Sequence, residues 1–422
     1  MHLFELPLLF VLVGLVLYTV LAGADFGAGL WQLTAGRGRD AARIRDHAHH
    51  SMAPVWEANH VWLIFVLTVF WTAYPVAFGS IASTLSIPLF IAAVGIVLRG
   101  AAYALRSGTA TARETRTIDT VFALSSALTP FALGTAVGGI ASRRVPVGNA
   151  GGHLVSSWLN PTSALVGALA VVTAAYLAGV YLSADAVRRK EPELAREFRR
   201  RALIAGVLAG AIALGGLAVL HSDSKALYHG LVYGDGLPAV IVSIVAGLCA
   251  LALVWRARFE LARYAAALAV AAIIAGWALA QRPLLLRGLT IEQAAAPHDT
   301  LVAMVVVVIA GAAILFPSLA TLFRLLLRGN LDDAGALAPR ARPGRAVLSA
   351  SARGLPARAA GACLLAGVGL LNAADAGWAH AAGVAALAGF VVFGFVAVAP
   401  AELAAHSDDG PPPTQARPTA SR

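Results

Sequence analysis

Charge is what this sequence has least of. Only 13% of its 422 residues are Asp, Glu, Lys or Arg, roughly half the share of an ordinary soluble domain. So few charges cannot dress a chain of this length for water, which excludes a soluble globular protein. Cysteine is limited to Cys249 and Cys363, both in apolar stretches. That excludes a disulfide framework and any CxxC centre, and leaves two small packing residues. Methionine occurs only at Met1, Met52 and Met304, and lysine only at Lys190 and Lys225. The basic charge is therefore carried by arginine, a choice that reflects genome composition. No Walker A loop and no HExxH sequence occurs, and the weak alternation of a membrane β-barrel is absent. The opening segment MHLFELPLLF lacks a basic n-region, so the first apolar segment is expected to be retained as a helix.

Hydrophobic residues make up 59% of the chain, and mean hydropathy is +0.76. Apolar runs of about 20 residues recur, each long enough to cross a bilayer core of about 30 Å. No water in that core can satisfy the backbone, so such runs must be helices. They predict spans near 6–31, 54–73, 77–105, 118–140, 161–185, 202–221, 237–255, 259–281 and 299–327, with two more near 359–375 and 378–400. A tight turn is expected at Tyr74-Pro75. The expected architecture is an all-α polytopic membrane helix bundle. Nine core transmembrane helices fall in residues 1–330. An Arg-, Pro- and Gly-rich cytoplasmic linker follows at 331–356, then two extra C-terminal transmembrane helices at 357–401 and a disordered tail at 402–422.

The formal charge of +10 is concentrated in short loops, which excludes a nucleic-acid partner. Alternate loops hold 27 and 5 of the lysines and arginines. The richer set belongs in the cytoplasm, which puts the N-terminus outside and the C-terminus inside. Glycines such as Gly206, Gly210, Gly215 and Gly216 fit close helix packing. Gly206 and Gly210 have GxxxG spacing, read first as core geometry and second as a dimer contact.

Ionisable groups buried in lipid are expensive and so are candidates for function. Asp25 lies in GADFGAG near the cytoplasmic end of the first span. Glu57 lies in MAPVWEANHVWLIF, about a turn into the cytoplasmic end of the second. A desolvated carboxyl can exchange protons near neutral pH; the competing reading is a structural carboxyl held by Arg or backbone groups. His60 follows Glu57 by three residues, on one helix face. With the Asn59 amide and water, the two could form a polar track. His60 also suits plain hydrogen-bonded packing. Trp56, Trp62 and Trp71 share the second span. Trp71 suits the membrane interface, and Trp62 packs deeper or lines a cavity. Arg106 can snorkel to headgroups, while the deeper Arg99 can pair with an acid such as Glu57. His47, His49 and His50 form a short tract of the kind metals use, yet no Cys or carboxylate partner accompanies it. Apart from His60 and His380, the histidines fall in loops or at span ends, so the chain is poorly equipped to ligate haem.

GADFGAG, MAPVWEANHVWLIF and VLRGAAYALR together resemble the start of subunit II of cytochrome bd-type quinol oxidases. WLNPTSALVG at 158–167 and LTIEQAAAPHDTLVAM at 289–304 extend the resemblance over residues 1–330. It implies a haem-free subunit of a membrane quinol:oxygen oxidoreductase in the bacterial cell membrane. Haem b and haem d (or b only) and the quinol site would sit on a partner, subunit I. Membrane lipid and a small accessory subunit are further expected partners. No cofactor, metal or haem ligand is expected on this chain. The resemblance places Glu57 and Asp25 on a proton path from the cytoplasm, His60 beside it, and Trp62 near an oxygen route. Trp56, Asn59 and Arg99 are left as structural or ion-pairing neighbours. The sequence departs from the family at Ala22, where an acid is usual, and at Ala104. The rival reading is a proton- or cation-coupled secondary transporter, but neither related halves nor broken midplane helices are evident.

Overall fold

The computed structural model describes residues 2–36, 38–106, 111–327, 355–373 and 377–398. Helices dominate. They are α1 (Leu6–Leu33), α2 (Arg39–Ala73), α3 (Pro75–Thr84), α4 (Ser86–Arg106), α5 (Ala112–Ala141), α6 (Pro161–Arg188) and α7 (Pro192–Asp223). After them come α8 (Lys225–Val232), α9 (Leu237–Trp255), α10 (Phe259–Gln281), α11 (Ile291–Ala294), α12 (His298–Leu327), α13 (Leu355–Ala373) and α14 (Gly377–Val398). Among the described residues, eight helices are long and apolar enough to cross a membrane; the apolar part of α2, Asn59–Ala73, is shorter. The chain is a multi-pass membrane protein. Its surface carries large apolar side chains such as Phe90, Val97, Ile64 and Trp71, as a lipid-facing surface should. The 331–356 linker, apart from its last residues, and the 402–422 tail lie outside the described residues.

Several helices start or stop for local reasons. Pro161 and Pro192 occupy first-turn positions, where a missing N–H costs nothing. Asn160 caps α6 by accepting a hydrogen bond from the Ser163 N–H at 2.9 Å. α2 ends at Ala73 and α3 begins at Pro75, so the Tyr74-Pro75 turn is present. The single span expected at 77–105 is instead two helices, broken at Leu85. Pro88 is the reason. It has no N–H to give the Thr84 carbonyl, and its ring would strike that carbonyl in a continuous helix. The segments read as loops at 32–53 and 186–201 are largely helical extensions of α2 and α7. Their charges lie on helix beyond the apolar stretch.

Contacts divide the chain into Met1–Pro317 and Ser318–Arg422. In the first unit α1 is central and packs on α2, α5 and α6. α4 packs on α5, α6 on α7, and α9 on α10. The largest apolar cluster joins Val20, Ala24 and Ala28 of α1 to Leu177, Val180 and Leu182 of α6 and to Phe198, Val254 and Ala266. A second cluster surrounds Tyr74, which is fully buried. Its hydroxyl donates to the Phe4 carbonyl at 2.6 Å and accepts from the Leu8 N–H at 3.1 Å, tying the start of α1 to the α2–α3 turn. A short antiparallel hairpin, β1 (Leu284–Leu286) and β2 (Leu289–Thr290), adds leucines to that cluster. At the same end, Arg144 grips Asp223 with two hydrogen bonds of 2.9 and 2.8 Å, and the Thr162 hydroxyl donates to the same carboxylate at 2.5 Å. This clasp holds α5, α6 and α7 together. In the second unit, α13 and α14 pack on each other, with Gly367 against Leu387 and Gly389 against Cys363.

Close packing rests on glycine at a few places. A side chain on Gly27 would overlap the Ala174 carbonyl of α6, whereas Gly210 faces open space. Gly206 sits against Leu251 and Tyr176 of the same chain, so the Gly206–Gly210 pair is not one continuous contact. Gly27→Ala should separate α1 from α6 and cost about 1–3 kcal/mol, the usual range for overpacking. Gly210→Ala should be neutral or slightly stabilising through helix propensity. Thermal unfolding of the detergent-purified protein distinguishes them, and equal effects at both positions would contradict the packing described.

Candidate functional site

Helical spacing puts Tyr18, Ala22, Asp25, Phe26 and Gly29 along neighbouring stripes of α1. Asp25 is 2% exposed, and Arg99, near the end of α4, is 1% exposed. They form an ion pair. Arg99 Nη2 donates to Asp25 Oδ1 at 2.5 Å and to the Asp25 carbonyl at 2.9 Å. Arg99 Nη1 donates to the Ser126 hydroxyl of α5. The guanidinium carbon lies 4.2 Å from the centre of the Phe122 ring and 5.1 Å from that of Phe26. The cation thus has a carboxylate, a hydroxyl and two aromatic faces. Gly29 makes the room, since a side chain there would overlap Ser126 Oγ and crowd Arg99.

Arginine stays protonated in proteins, so this charge cannot be relieved by losing a proton. Its burial is tolerable only because the partners are in place. The carboxylate is less fully served. Asp25 Oδ2, both amide atoms of Asn59 and the Tyr18 hydroxyl are buried without a hydrogen-bond partner. Asn59 stands beside the carboxylate, but neither amide atom reaches it in good geometry, and the His60 ring is within electrostatic reach. Unsatisfied polar atoms gathered in an apolar interior are where buried water resides.

The structure thus brings Asp25, Asn59 and Arg99 together, with His60 close by. Trp62 is partly buried against Tyr18, Ala22, Phe26 and Ala174, edge-on to Phe65 at 6.1 Å. Trp71 is exposed and stacks on Phe78. The side chains of Trp56 and Glu57, like those of His49, His50 and His380, lie outside the described residues. The backbone of Glu57 is in α2, one turn before His60. Sequence reasoning missed Ser126, Phe122, Phe26 and Tyr18. The available signal was the run of hydroxyls Ser125, Ser126 and Thr129 within the apolar stretch of α5. All three are buried.

Arg106, read as a residue that snorkels, instead bonds Asp119 at 3.0 Å. His47 is buried with Nε2 3.3 Å from the Leu182 carbonyl and 3.6 Å from Asp185. Burial pushes its imidazole below the usual value, the Leu182 carbonyl and Asp185 opposing. It is a packed histidine with Nε2 already engaged. Met304 is buried in the apolar cluster around Tyr74. Among the described residues no three His, Cys, Asp or Glu side chains converge on a point where a metal ion could sit.

Fold and site together define a polytopic membrane protein with a buried carboxylate–guanidinium pair and unpartnered polar neighbours. Residues 4–326 match the family Cytochrome bd terminal oxidase subunit II, and the chain belongs to that family. It is similar to a cytochrome bd menaquinol oxidase subunit II of Bacillus subtilis, 21% identical over 238 residues, covering 55% of this chain and 67% of the relative. A shorter match, 28% identical over 114 residues, is to cytochrome bd ubiquinol oxidase subunit 2 of the same organism, covering 27% of this chain and 33% of the relative. The fold is that of a chain in the bd oxidase from Geobacillus thermodenitrificans, with TM-score 0.59 and 23% identity over 78% of this chain and 99% of that one. The chain is therefore a subunit of a quinol oxidase, an oxidoreductase complex, and the transporter reading is not favoured.

Removing one partner of a buried pair costs about 3–5 kcal/mol, because the other charge is left alone. Arg99→Met should therefore destabilise the protein strongly. Asp25→Leu combined with Arg99→Met should recover much of the loss. A double-mutant cycle on thermal unfolding in detergent measures this. Losses that simply add would show that the two charges are not coupled.

Proposed function

We propose that this chain is the haem-free subunit of a quinol:oxygen oxidoreductase in the bacterial cell membrane, and that it delivers protons toward the site of oxygen reduction. A partner, subunit I, carries the haem b and haem d (or b only) and oxidises the quinol. The N-terminus is outside and the C-terminus cytoplasmic, as the distribution of arginine between loops supports. Protons consumed in making water then enter from the cytoplasm, while quinol oxidation releases protons outside.

The observation that carries this reading is the unpartnered Oδ2 of Asp25 beside Asn59 and Tyr18. Oδ1 holds the Arg99 charge, and Oδ2 stays open to accept a proton or to orient a water. Glu57, one helical turn before His60, is the entry group from the cytoplasmic side. His60 and Asn59 continue the track on the same helix. Trp62, against the Tyr18–Phe26 cluster, borders an apolar route for oxygen.

Glu57→Gln keeps size and hydrogen bonding while removing the exchangeable proton. Quinol-driven oxygen consumption should fall by roughly tenfold, about 1.4 kcal/mol in barrier. The haem spectrum and the yield of assembled complex should be unchanged. Wild-type turnover in that variant would remove Glu57 from the path.

A further inference from the structure

The loop between α5 and α6 meets the tip of the β1–β2 hairpin around an open cavity of about 260 Å³. Arg143, Arg144, Arg287, His153, Ser156 and Ser157 are among its lining residues, and no carboxylate is. Asp223 neutralises Arg144. Among the described residues Arg143 and Arg287 make no ion pair, so two positive charges line the cavity without a described counter-charge. Their placement is fixed by backbone. Arg143 follows the end of α5 with φ +58°, its N–H bonded to the Ile140 carbonyl at 3.0 Å. Arg287 sits at the hairpin tip, bridged to Pro146. His153 Nδ1 accepts from the backbone N–H groups of Val155 and Ser156, at 3.3 and 3.1 Å. A neutral His153 must then carry its proton on Nε2, as a donor. The cavity is thus rimmed by donors and positive charge, the complement of a phosphate group.

The same loop also turns apolar side chains outward. Leu154 is 60% exposed and Leu159 54%, and Trp158 lies between them, half-buried, with its indole N–H bonded to the Leu154 carbonyl. Exposed leucines and an interfacial tryptophan beside a cationic cavity suit a ligand with acyl chains attached to its phosphate. We propose that this cavity binds the phosphate of an anionic membrane lipid, pinning the α5–α6 loop to the hairpin at the membrane surface.

The test uses the complete oxidase complex, stripped of loosely bound lipid in detergent. Dihexanoyl phosphatidylglycerol and inorganic phosphate are titrated separately, with thermal unfolding as the readout. The short-chain lipid should raise the unfolding temperature in a saturable way. Inorganic phosphate at equal concentration should do little. Arg143→Ala with Arg287→Ala should abolish the lipid effect, and Arg143→Lys with Arg287→Lys should keep most of it. Where the double alanine variant fails to assemble, Arg287→Gln alone should weaken the response several-fold. Equal protection by inorganic phosphate would overturn the lipid as source and leave a free-phosphate site. No protection by either probe, or protection that survives loss of both arginines, would overturn the proposal entirely.

Discussion

The pairing of Arg99 with Asp25 is the constraint on which the rest of this bundle depends. Apolar contacts between helices are non-directional and tolerate sliding, and lipid competes with them on equal terms. A guanidinium that cannot lose its charge tolerates nothing of the kind. It must find Asp25 on α1 and Ser126 on α5 while itself standing on α4, so three helices are set in rotation and in depth at once. The glycines follow from this. Gly29 clears the space for Ser126, and Gly95 lets Thr129 approach α4. At the opposite end, Arg144, Asp223 and Thr162 do a similar job for α5, α6 and α7. Arginine–aspartate clasps fasten the bundle toward both ends, and alanine, valine and leucine fill it between them.

Much of the fold was legible because helix ends carry local chemistry. α9 and α10 run over the residues expected, 237–255 and 259–281. Gly236 and Pro238 open α9, and Arg256–Ala257–Arg258 interrupts the apolar run between the two. The break at Leu85 was not read, since composition stays apolar through it and Pro88 acts on a carbonyl four residues earlier. The charged extensions of α2 and α7 read as loops in the sequence because charge hides their helical continuity. At the site, Asp25 and Arg99 stood out as buried charges in apolar helices. That they meet each other was not legible, because it depends on how α1 and α4 are held by α5. Phe26 and Phe122 were invisible for a different reason. Phenylalanine in a membrane helix is ordinary, and only the structure shows it stacked on a cation.

The same pair connects architecture to function. An ion pair that used every oxygen of its carboxylate would be a fastening and nothing more. Asp25 spends one oxygen on Arg99 and leaves the other among polar atoms that lack partners. That open oxygen, in a subunit of a quinol oxidase, is the feature from which the proposed proton track along α1 and α2 starts.

The most direct measurement is to purify this chain from its native membrane in mild detergent, record the reduced-minus-oxidised spectrum, then separate the subunits and record it again on each. The account predicts haem and quinol oxidation in the complex, and haem only on the partner after separation. Haem that stays with this chain would contradict it.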